Sequence, residues 1–572
     1  MRWKLADVDA TLVGTMSENL EVQPLIARLL LLRGLDNPDE ARKFLQPSLR
    51  DLPDPSQFAD IEIASNRLAD AITRSERIAI YGDYDVDGVT SSALLATFLR
   101  GFDLDPGVFI PDRFTDGYGL NAGRVSELVE DGAQVLITVD CGTSNRKEVA
   151  IAQDSGCDVI VVDHHAVPEF PAEPLALLNP VRSDCNFPFP RLAAVGVAFF
   201  LCVAVRRTLR ERGFFSPEKG EPDLRALLPL VALGTVADVM PLTSVNRLLV
   251  TQGLMRMNMS PSPGFAALAQ VSGIDERPIT STDLGFKLGP RINAAGRMTH
   301  ARGGFELLTT TNWSQASELA HQLNQENQSR RDVEANVVRE ALEEAEGLVA
   351  SGAKGLVLFR PNWHLGVVGI VAARVREAFH RPVFILGEHP QDGMAKGSGR
   401  SIPGFDLVKA LDQCSETLLQ YGGHAHAAGV TVEPDRLQSF ATAFNSVVDA
   451  QLSDEDFDPT LKIDGLINAE KVDLYLFESI EKLAPFGAGN PRPVFGIKGT
   501  QAARFRTIGD GSHVEMHVPQ GSTNVRAIGF RMGKEVPLLE SQVDIAFQLK
   551  ENLWRGNRSL ELNLKDIRAA EI

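Results

Sequence analysis

The sequence predicts an α/β fold in which a parallel-sheet domain is joined by a long helix to a smaller α/β domain, followed by a C-terminal all-β domain. Three patterns predict this architecture. Short β-branched runs alternate with amphipathic stretches from residue 77 onward, helix formers without Pro or Gly run from residue 313 to 346, and short alternating apolar runs fill the C-terminal region. At 572 residues the chain can hold about three to five domains.

The first predicted domain covers residues 1 to 312 and includes an N-terminal extension. Its strands are expected at RIAIYGDYD, GVFIPDR, QVLITVDCG and DVIVVDHHA, with helices between them. Such units build a parallel sheet, which binds ligands at the carboxyl ends of its strands. The polar residues that follow these strands are Asp83, Asp85, Asp87, Asp112, Arg113, Asp140, Asp163, His164 and His165.

The remaining domains follow in order along the chain. Residues 313 to 349 are expected to form the connecting helix, which would be on the order of 50 Å long. Strand and helix patterns resume over residues 350 to 452, which predict the second α/β domain. After an acidic linker, residues 453 to 572 contain runs such as RPVFGIK and HVEMHVP, which are typical of a small β barrel.

Composition limits the class of protein. With 44% hydrophobic and 23% charged residues, the chain is expected to be globular. Five cysteines without a CxxC pair indicate a reducing cytoplasm and no structural zinc, and the sequence has neither a signal-peptide pattern nor a run of 18 apolar residues. The formal charge of −18 weighs against a nucleic-acid partner, although a local basic groove could still bind one.

The stretch DYDVDG carries three aspartates at alternate positions, Asp83, Asp85 and Asp87. On a strand they would share one face, and their charges would repel unless a cation or a proton intervened. An EF-hand is excluded because its twelfth position would be Leu94 and a strand precedes the loop. The nucleophile motif of haloacid-dehalogenase-type phosphatases also fits this stretch, but it leaves the later clusters unexplained.

Those later clusters are VDCGTSN and VDHHA. Alone, Asp140 could cap a helix, and Asp163, His164 and His165 could form a surface turn. Gathered at one sheet edge, carboxylates and imidazoles instead favour Mn²⁺ or Mg²⁺. Two such ions about 4 Å apart can activate a water and stabilise a phosphoryl displacement. Asp140 is the candidate carboxylate shared by the two ions.

Taken in order, DYDVDG, VDCG, DHH and ALGTVADVMPL resemble the motifs of the DHH phosphoesterase superfamily. Further segments narrow the resemblance to its bacterial 5′→3′ exonucleases specific for single-stranded DNA. These segments are DRFTDGYGL, GPRINAAGRM, WHLGVVGIVAAR, GSGRS and YGGHAHAAG. The resemblance identifies the three predicted domains as a DHH domain, a DHH-associated domain and an OB-like domain.

The resemblance implies a centre of two Mn²⁺ or Mg²⁺ ions. Its metal ligands would be Asp83, Asp85, Asp87, Asp140, His164 and Asp238, and its catalytic residues Asp85, Asp87, Asp140, His164 and His165. Two alternatives remain open at this point. Asp83 could bind a metal or support another ligand, and His165 could bind a metal or orient the phosphate.

Residues elsewhere in the sequence would bind the substrate. Ser398 and Arg400, with Arg291 or Arg297, are expected to hold a terminal phosphate, because arginine forks match phosphate oxygens. Arg113 and His424 are further candidates. The glycines around His424 suit a backbone that approaches an anion, or simply a tight turn under a helix.

The function implied is 5′→3′ digestion of single-stranded DNA to mononucleotides in recombination and repair. The expected partners are single-stranded DNA, the single-strand-binding protein and a RecQ-type helicase, and the expected state is a cytoplasmic monomer. The alternative is a DHH hydrolase acting on short oligonucleotides, cyclic dinucleotides or polyphosphate, which would have little need of the C-terminal β domain. A non-catalytic single-strand binder conflicts with the intact acidic set. The β domain could bind single strands, dock partners or stabilise the fold.

Overall fold

The computed structural model describes residues 1–113, 115–117, 119–217, 220–274, 277–298, 301–554 and 557–570. Phe114 and Tyr118 of the DRFTDGYGL segment lie outside the described residues. The chain divides into two compact units. The larger unit comprises Trp3–Gly296, His300–Leu323 and Lys462–Ile572, and the smaller unit comprises Met1–Arg2, Arg297–Thr299 and Asn324–Leu461.

The chain begins with one strand and four helices. These are β1 (Arg2–Leu5), α1 (Ala10–Leu20), α2 (Pro24–Leu31), α3 (Pro38–Leu45) and α4 (Ile61–Arg74). Their starts follow familiar capping chemistry: Asn37 accepts from the backbone N–H groups of Asp39 and Glu40 at the start of α3, and Pro38 occupies its first position.

A five-stranded parallel sheet forms the centre of the larger unit. Its elements are β2 (Ile78–Gly82), α5 (Val86–Arg100), β3 (Gly107–Phe109), α6 (Ala122–Glu130), β4 (Val135–Val139), α7 (Arg146–Asp154), β5 (Asp158–Val162) and β6 (Ala176–Leu178). The strand order is β3-β2-β4-β5-β6, with every pair parallel. The order reverses between β2 and β4, which is where such sheets open a crevice. The sheet therefore positions the residues after β2 and β4 side by side.

Helices continue the larger unit after the sheet. They are α8 (Ala194–Glu211), α9 (Leu228–Ala237), α10 (Ser244–Met259), α11 (Pro263–Val271), α12 (Ser281–Asp283), α13 (Gly289–Met298) and α14 (Arg302–Thr309), with a π-helical turn at Leu284–Leu288. Helix α15 (Trp313–Ala350) is the predicted long helix. Its residues up to Leu323 belong to the larger unit and the rest to the smaller unit.

The smaller unit is the predicted second α/β domain. It contains β7 (Leu356–Phe359), α16 (Val368–Phe379), β8 (Val383–Glu388), β9 (Ala395–Arg400), α17 (Leu407–Gln413), β10 (Gln420–His424), β11 (Ala427–Val432) and α18 (Leu437–Gln451). Its sheet has the order β10-β11-β9-β8-β7. Only β7 and β8 run parallel, and the pairs from β8 to β10 are antiparallel.

The C-terminal region is a β domain, as the alternating runs predict, and its main sheet has seven strands. Its elements are β12 (Thr460–Ile463), β13 (Gly465–Leu466), α19 (Leu474–Glu481), β14 (Phe495–Thr500), β15 (Arg504–Ile508), β16 (His513–Gln520), β17 (Thr523–Gly529), β18 (Val543–Trp554) and β19 (Asn557–Ala569). The sheet order is β13-β14-β18-β19-β17-β16-β15.

Helices α1 to α3 share a hydrophobic core with this C-terminal sheet. Met16, Ile26 and Phe44 belong to the same buried cluster as Phe495 and Phe547. From sequence, the N-terminal extension was assigned to the parallel-sheet domain. In the structure the apolar side chains of α1 to α3 pack with the C-terminal strands, a long-range pairing that local patterns do not encode, whereas those of α4 belong to the core of the parallel-sheet domain as expected.

Arg247 of α10 ties these parts together. Its side chain is 2% exposed and donates hydrogen bonds to the carbonyls of Phe44, Leu483 and Lys482. Its guanidinium also lies 3.7 Å from the centre of the Phe44 ring. Burial, and then the nearby charge of Arg33, lowers the Arg247 pKa to about 9. These contacts join three segments that are far apart in the sequence.

Among the described residues, no helix combines the length and the apolar character needed to cross a membrane.

Candidate metal centre

The DYDVDG segment joins a strand to a helix. Strand β2 ends at Gly82, and Asp85 caps α5 by accepting from the N–H groups of Asp87 at 2.8 Å and Gly88 at 3.1 Å. The expectation that the three aspartates share one face of a strand is therefore wrong. They gather because the chain turns into a helix within the motif, and Asp85 is a helix cap, a role that Asp, Asn and Ser favour.

Gly88 makes this tight turn possible. A Cβ at this position would lie 2.4 Å from the carbonyl oxygen of Asp83. No other residue could bring the first turn of α5 so close to the end of β2. The glycine therefore sets the distance between Asp83 and the helix that carries Asp87.

Asp87 is fixed by the start of another helix. It is 1% exposed, and its two carboxylate oxygens accept from the N–H groups of Ala194 at 2.6 Å and Val195 at 2.9 Å, at the start of α8. Helix N-termini favour negative charge. Its Oδ2 also lies 3.8 Å from Nε2 of His164.

His164 lies at the centre of the cluster. Its Nε2 is 3.1 Å from Oδ1 of Asp140 and 3.6 Å from Oδ2 of Asp238. Oxygen or nitrogen atoms of Asp87, His164 and Asp238 lie within 4.8 Å of one another, as do those of Asp83, Asp85 and Asp140. The structure thus brings all six predicted metal ligands into two adjoining groups.

Asp163 was not assigned a role from sequence, and the structure shows what it does. It accepts from Thr143 N at 3.0 Å, from His164 N at 2.8 Å, and from His165 Nδ1 at 2.7 Å. Its position directly before the two histidines was the available signal. Asp163 fixes the loop that carries both imidazoles, so it is a positioning residue rather than a ligand.

The two histidines have opposite electrostatic environments. Burial, and then the charge of His165, lowers the pKa of His164 to about 4. Burial opposes protonation of His165 as well, but its hydrogen bond to Asp163 prevails and raises its pKa to about 9. The same contacts hold the Asp163 pKa below its usual range, although burial alone would raise it. The pKa shifts therefore leave His164 neutral at pH 7, the form in which imidazole can bind a metal, and favour the cationic form of His165.

The aspartates of the cluster repel one another. Burial and the neighbouring Asp85 raise the pKa of Asp83 to about 8 and that of Asp87 to about 7, and burial with Asp87 and Asp85 raises that of Asp238 to about 9. Burial and the surrounding carboxylates raise the pKa of Asp140 as well. Such shifts indicate that the site is built for positive charge.

Two buried atoms support the same conclusion. Oδ1 of Asp83 and Oδ2 of Asp238 find no hydrogen-bond partner among the described residues. A buried carboxylate oxygen without a donor is costly unless a cation is bound there. The donor set of five carboxylates and one neutral imidazole suits two Mn²⁺ or Mg²⁺ ions.

Mn²⁺ binding is expected to strengthen with pH. Asp87, Asp83 and Asp238 hold protons with pKa values from about 7 to about 9, and these protons must leave before the ion binds. The apparent affinity should rise by about tenfold per pH unit for each proton released, and then level off above pH ~9. Calorimetry in two buffers of different ionisation enthalpy measures the protons released. A pH-independent affinity would contradict this electrostatic description.

Arg113 lies beside the cluster. Its guanidinium carbon is 4.4 Å from the centre of the Tyr84 ring, and its charge lowers the Asp83 pKa against the larger effect of burial. Arg113 is one of the substrate-binding residues predicted from the sequence. Its position next to Asp83 is compatible with contact to a phosphate at the metal centre.

Three further predicted substrate-binding residues, Ser398, Arg400 and His424, lie in the smaller unit. Nη1 of Arg400 donates to Oγ of Ser398 at 2.7 Å, and Arg400 lies in register with Ala427, which pairs with His424. A Cβ at Gly369, in the first turn of α16, would be 3.1 Å from Nη2 of Arg400. Ser398, Arg400 and His424 are the residues predicted to bind a terminal phosphate, and we use the name terminal-phosphate site for them and this helix start.

The two arginines of PRINAAGR have different surroundings. Arg297 donates to the carbonyl of Gly366 at 2.9 Å, and Gly366 is part of the loop that leads into α16. Arg291 is 7% exposed and donates to the carbonyls of Lys287 and Val271. Arg291 belongs to the larger compact unit and Arg297 to the smaller one. Arg297 is therefore the one whose contacts lie beside the terminal-phosphate site.

Three known domain families together match most of the chain. Residues 77–235 match the DHH family N-terminal domain, residues 352–450 match the DHHA1 domain, and residues 463–566 match the RecJ OB domain. These matches confirm the predicted order of domain types.

Curated proteins that are similar to this chain align with it over nearly its whole length. The chain is 39% identical to the single-stranded-DNA-specific exonuclease RecJ of Haemophilus influenzae, over 94% of this chain and 95% of that protein. It is 35% identical to the RecJ of Bacillus subtilis, over 100% of this chain and 71% of that protein.

Solved structures agree with these alignments. The crystal structure of Thermus thermophilus RecJ in complex with Mn²⁺ superimposes with a TM-score of 0.85 at 31% identity, covering 100% of this chain and 80% of that one. Its complex with Mg²⁺ gives a TM-score of 0.79 at 28% identity. The fold class predicted from sequence is confirmed, and the ions in these relatives are those that the donor set predicts.

Proposed function

Because this chain belongs to the RecJ family of single-stranded-DNA-specific exonucleases, we propose that it digests single-stranded DNA from the 5′ end and releases mononucleotides by metal-dependent hydrolysis. The observation that carries the proposal is the buried cluster of Asp83, Asp85, Asp87, Asp140, His164 and Asp238. Repulsion among so many neighbouring carboxylates lowers the stability of the fold. A hydrolytic metal centre explains why they are nevertheless placed together.

Two divalent ions would be held by the two groups of the cluster. Asp83, Asp85 and Asp140 form one group, and Asp87, His164 and Asp238 form the other. Asp140 is the proposed shared ligand, because it also lies 3.1 Å from His164. When bound, such ions lower the pKa of a bound water and stabilise the oxygens of an in-line displacement.

The chain's own residues would orient the scissile phosphate. Oδ1 of Asp163 holds Nδ1 of His165 at 2.7 Å and keeps that imidazole protonated at pH 7. The side chain of His165 is 45% exposed, so we assign it to a phosphate oxygen rather than to a metal. Asp87 is held by the N–H groups of α8, which fixes its carboxylate before substrate arrives.

The terminal-phosphate site would select the end of the strand. Arg400 is preorganised by Ser398, and the N-terminus of α16 adds backbone dipoles that favour an anion. An exonuclease needs such a group, since a metal centre without one would cut wherever a strand entered. Arg297 and His424 are assigned to the same phosphate.

The biological setting is inferred from the family resemblance. We place the enzyme in the cytoplasm, in DNA recombination and repair, beside the single-strand-binding protein and a RecQ-type helicase, and we expect a monomer. A small-phosphoester hydrolase is the less favoured function, because residues 463–566 match a RecJ OB domain, which a small substrate does not require.

The test uses four DNAs of equal length with Mn²⁺: a 5′-labelled single strand, a 3′-labelled single strand, a blunt duplex and a closed circle. We expect labelled mononucleotide from the first, progressive shortening of the second, and no cutting of the others. EDTA should stop both reactions. Cutting of the circle would contradict an exonuclease. If none of the four DNAs is cut, a small phosphoester becomes the favoured substrate.

A further inference from the structure

Val239 has an unusual backbone conformation. Its φ is 57°, its N–H donates to the carbonyl of Val236 at 3.1 Å, and the next N–H, of Met240, donates to that of Thr235 at 3.1 Å. This pair of hydrogen bonds ends α9 in a Schellman motif, where the left-handed position usually holds glycine. A β-branched residue is a steric outlier at such a position.

Val239 differs in side-chain type from the other non-glycine residues with positive φ. The described part of the chain has nine non-glycine residues with positive φ, and Val239 is the only β-branched one: Glu21, Asp60, Ser75, Asp103, Asp140, Val239, Ser244, His380 and Arg531. Packing does not explain the choice, since Val239 is 71% exposed. Both backbone preference and solvation favour a different residue here.

The location of Val239 suggests why the strain is tolerated. It directly follows Asp238, whose Oδ2 lies 3.6 Å from Nε2 of His164. Strained residues that persist without a packing role cluster at functional sites. The isopropyl group is therefore presented to solvent one residue from the metal centre.

A neighbouring turn carries a second exposed apolar side chain. Phe286 is 75% exposed and lies on the π-helical turn Leu284–Leu288. That turn packs on the end of α9, since a Cβ at Gly285 would lie 3.5 Å from Cγ1 of Val236 and one at Gly289 would lie 3.3 Å from Cβ of Ala237. Exposed apolar groups thus occur on both elements at this end of α9.

We propose that Val239 is a substrate-contacting residue, whose isopropyl group packs against the base of the nucleotide at the Asp87, His164 and Asp238 group. The inference rests on the proposed function, because it requires single-stranded DNA at this centre. An apolar contact holds a base without reading its identity, as a sequence-independent nuclease requires. The contact would position the scissile phosphate at the centre.

The test is Val239→Gly, with Ser75→Gly as its matched control. Ser75 has φ 54°, and it ends α4 through the same pair of hydrogen bonds, from Ser75 N to Ile72 O and from Glu76 N to Ala71 O. Both variants relieve a left-handed residue, so each should keep or raise Tm, by up to about 3 °C. Only Val239→Gly should lose activity, by about tenfold in kcat/KM on single-stranded DNA.

A second arm identifies the contacted group. A strand with an abasic residue at the cleaved position should be cut more slowly by wild type, and Val239→Gly should add no further loss on it. Equal kcat/KM for Val239→Gly and Ser75→Gly would overturn the proposal, as would additive effects of the glycine and the abasic residue. If wild type itself fails to digest single strands, the proposed function fails first, which is a distinguishable result.

Discussion

Replacing Asp140 by asparagine is expected to abolish Mn²⁺-dependent digestion of single-stranded DNA, a loss of about 10³-fold or more. Asp140 is 3% exposed, and its carboxylate lies among those of Asp83 and Asp85 and beside His164. Asparagine keeps the shape and tolerates the φ of 62° at this position. The substitution therefore removes the charge while preserving the backbone.

Stability provides a second measurement for this variant. Without metal, removing one of several mutually repelling carboxylates should keep or raise Tm, because burial and the neighbouring aspartates raise the Asp140 pKa. With Mn²⁺, wild type should gain stability and Asp140→Asn should gain much less. Asp154→Asn, at an exposed position, is the control. An unchanged Mn²⁺-induced Tm shift in Asp140→Asn would refute the role of Asp140 as a ligand.

Arg400→Ala is expected to remove the preference for a 5′-phosphorylated end. On 5′-phosphate strands kcat/KM should fall by about 10²-fold, since Arg400 is partly buried and an arginine-to-phosphate contact in such a position contributes about 2 to 3 kcal/mol. On 5′-hydroxyl strands the effect should be small. The ratio between the two substrates should therefore approach one, which competition between differently labelled strands measures directly.

Two further variants sharpen this result. Arg374→Ala removes an arginine of α16 that pairs with Glu334 and Glu377, and it should leave the phosphate preference unchanged. Ser398→Ala should give a smaller loss than Arg400→Ala, because it loosens the guanidinium without removing it. If Arg400→Ala keeps the wild-type preference, the end of the strand is read elsewhere.

Much of the sheet and its functional edge could be predicted from sequence. Strands β2, β4 and β5 are buried apolar runs typical of parallel strands covered on both faces, so the residues after them were predicted at one edge. Asp140 and His164 indeed lie there, 3.1 Å apart. Local patterns were sufficient because the strands are consecutive neighbours in the fold.

Other features depended on contacts that local patterns do not contain. Alternate spacing suggested that Asp83, Asp85 and Asp87 lie on a strand, but a helix cap at Asp85 decided their geometry. The backbone N–H groups that hold Asp87 come from Ala194 and Val195, over a hundred residues later. The positive φ of Val239 could not be predicted either, because valine ordinarily avoids this backbone conformation and the residue type gives no sign of it.

The buried guanidinium of Arg247 bears on how this architecture can change. It joins the carbonyls of an N-terminal residue and of two residues near the C-terminal strands to a helix of the parallel-sheet domain. The C-terminal sheet also draws part of its core from the N-terminal helices. These segments therefore do not form an interchangeable module. A C-terminal region transferred alone between relatives would have to match both the carbonyl positions around Arg247 and the apolar side chains of α1 to α3, so we expect the chain's two ends to be inherited together.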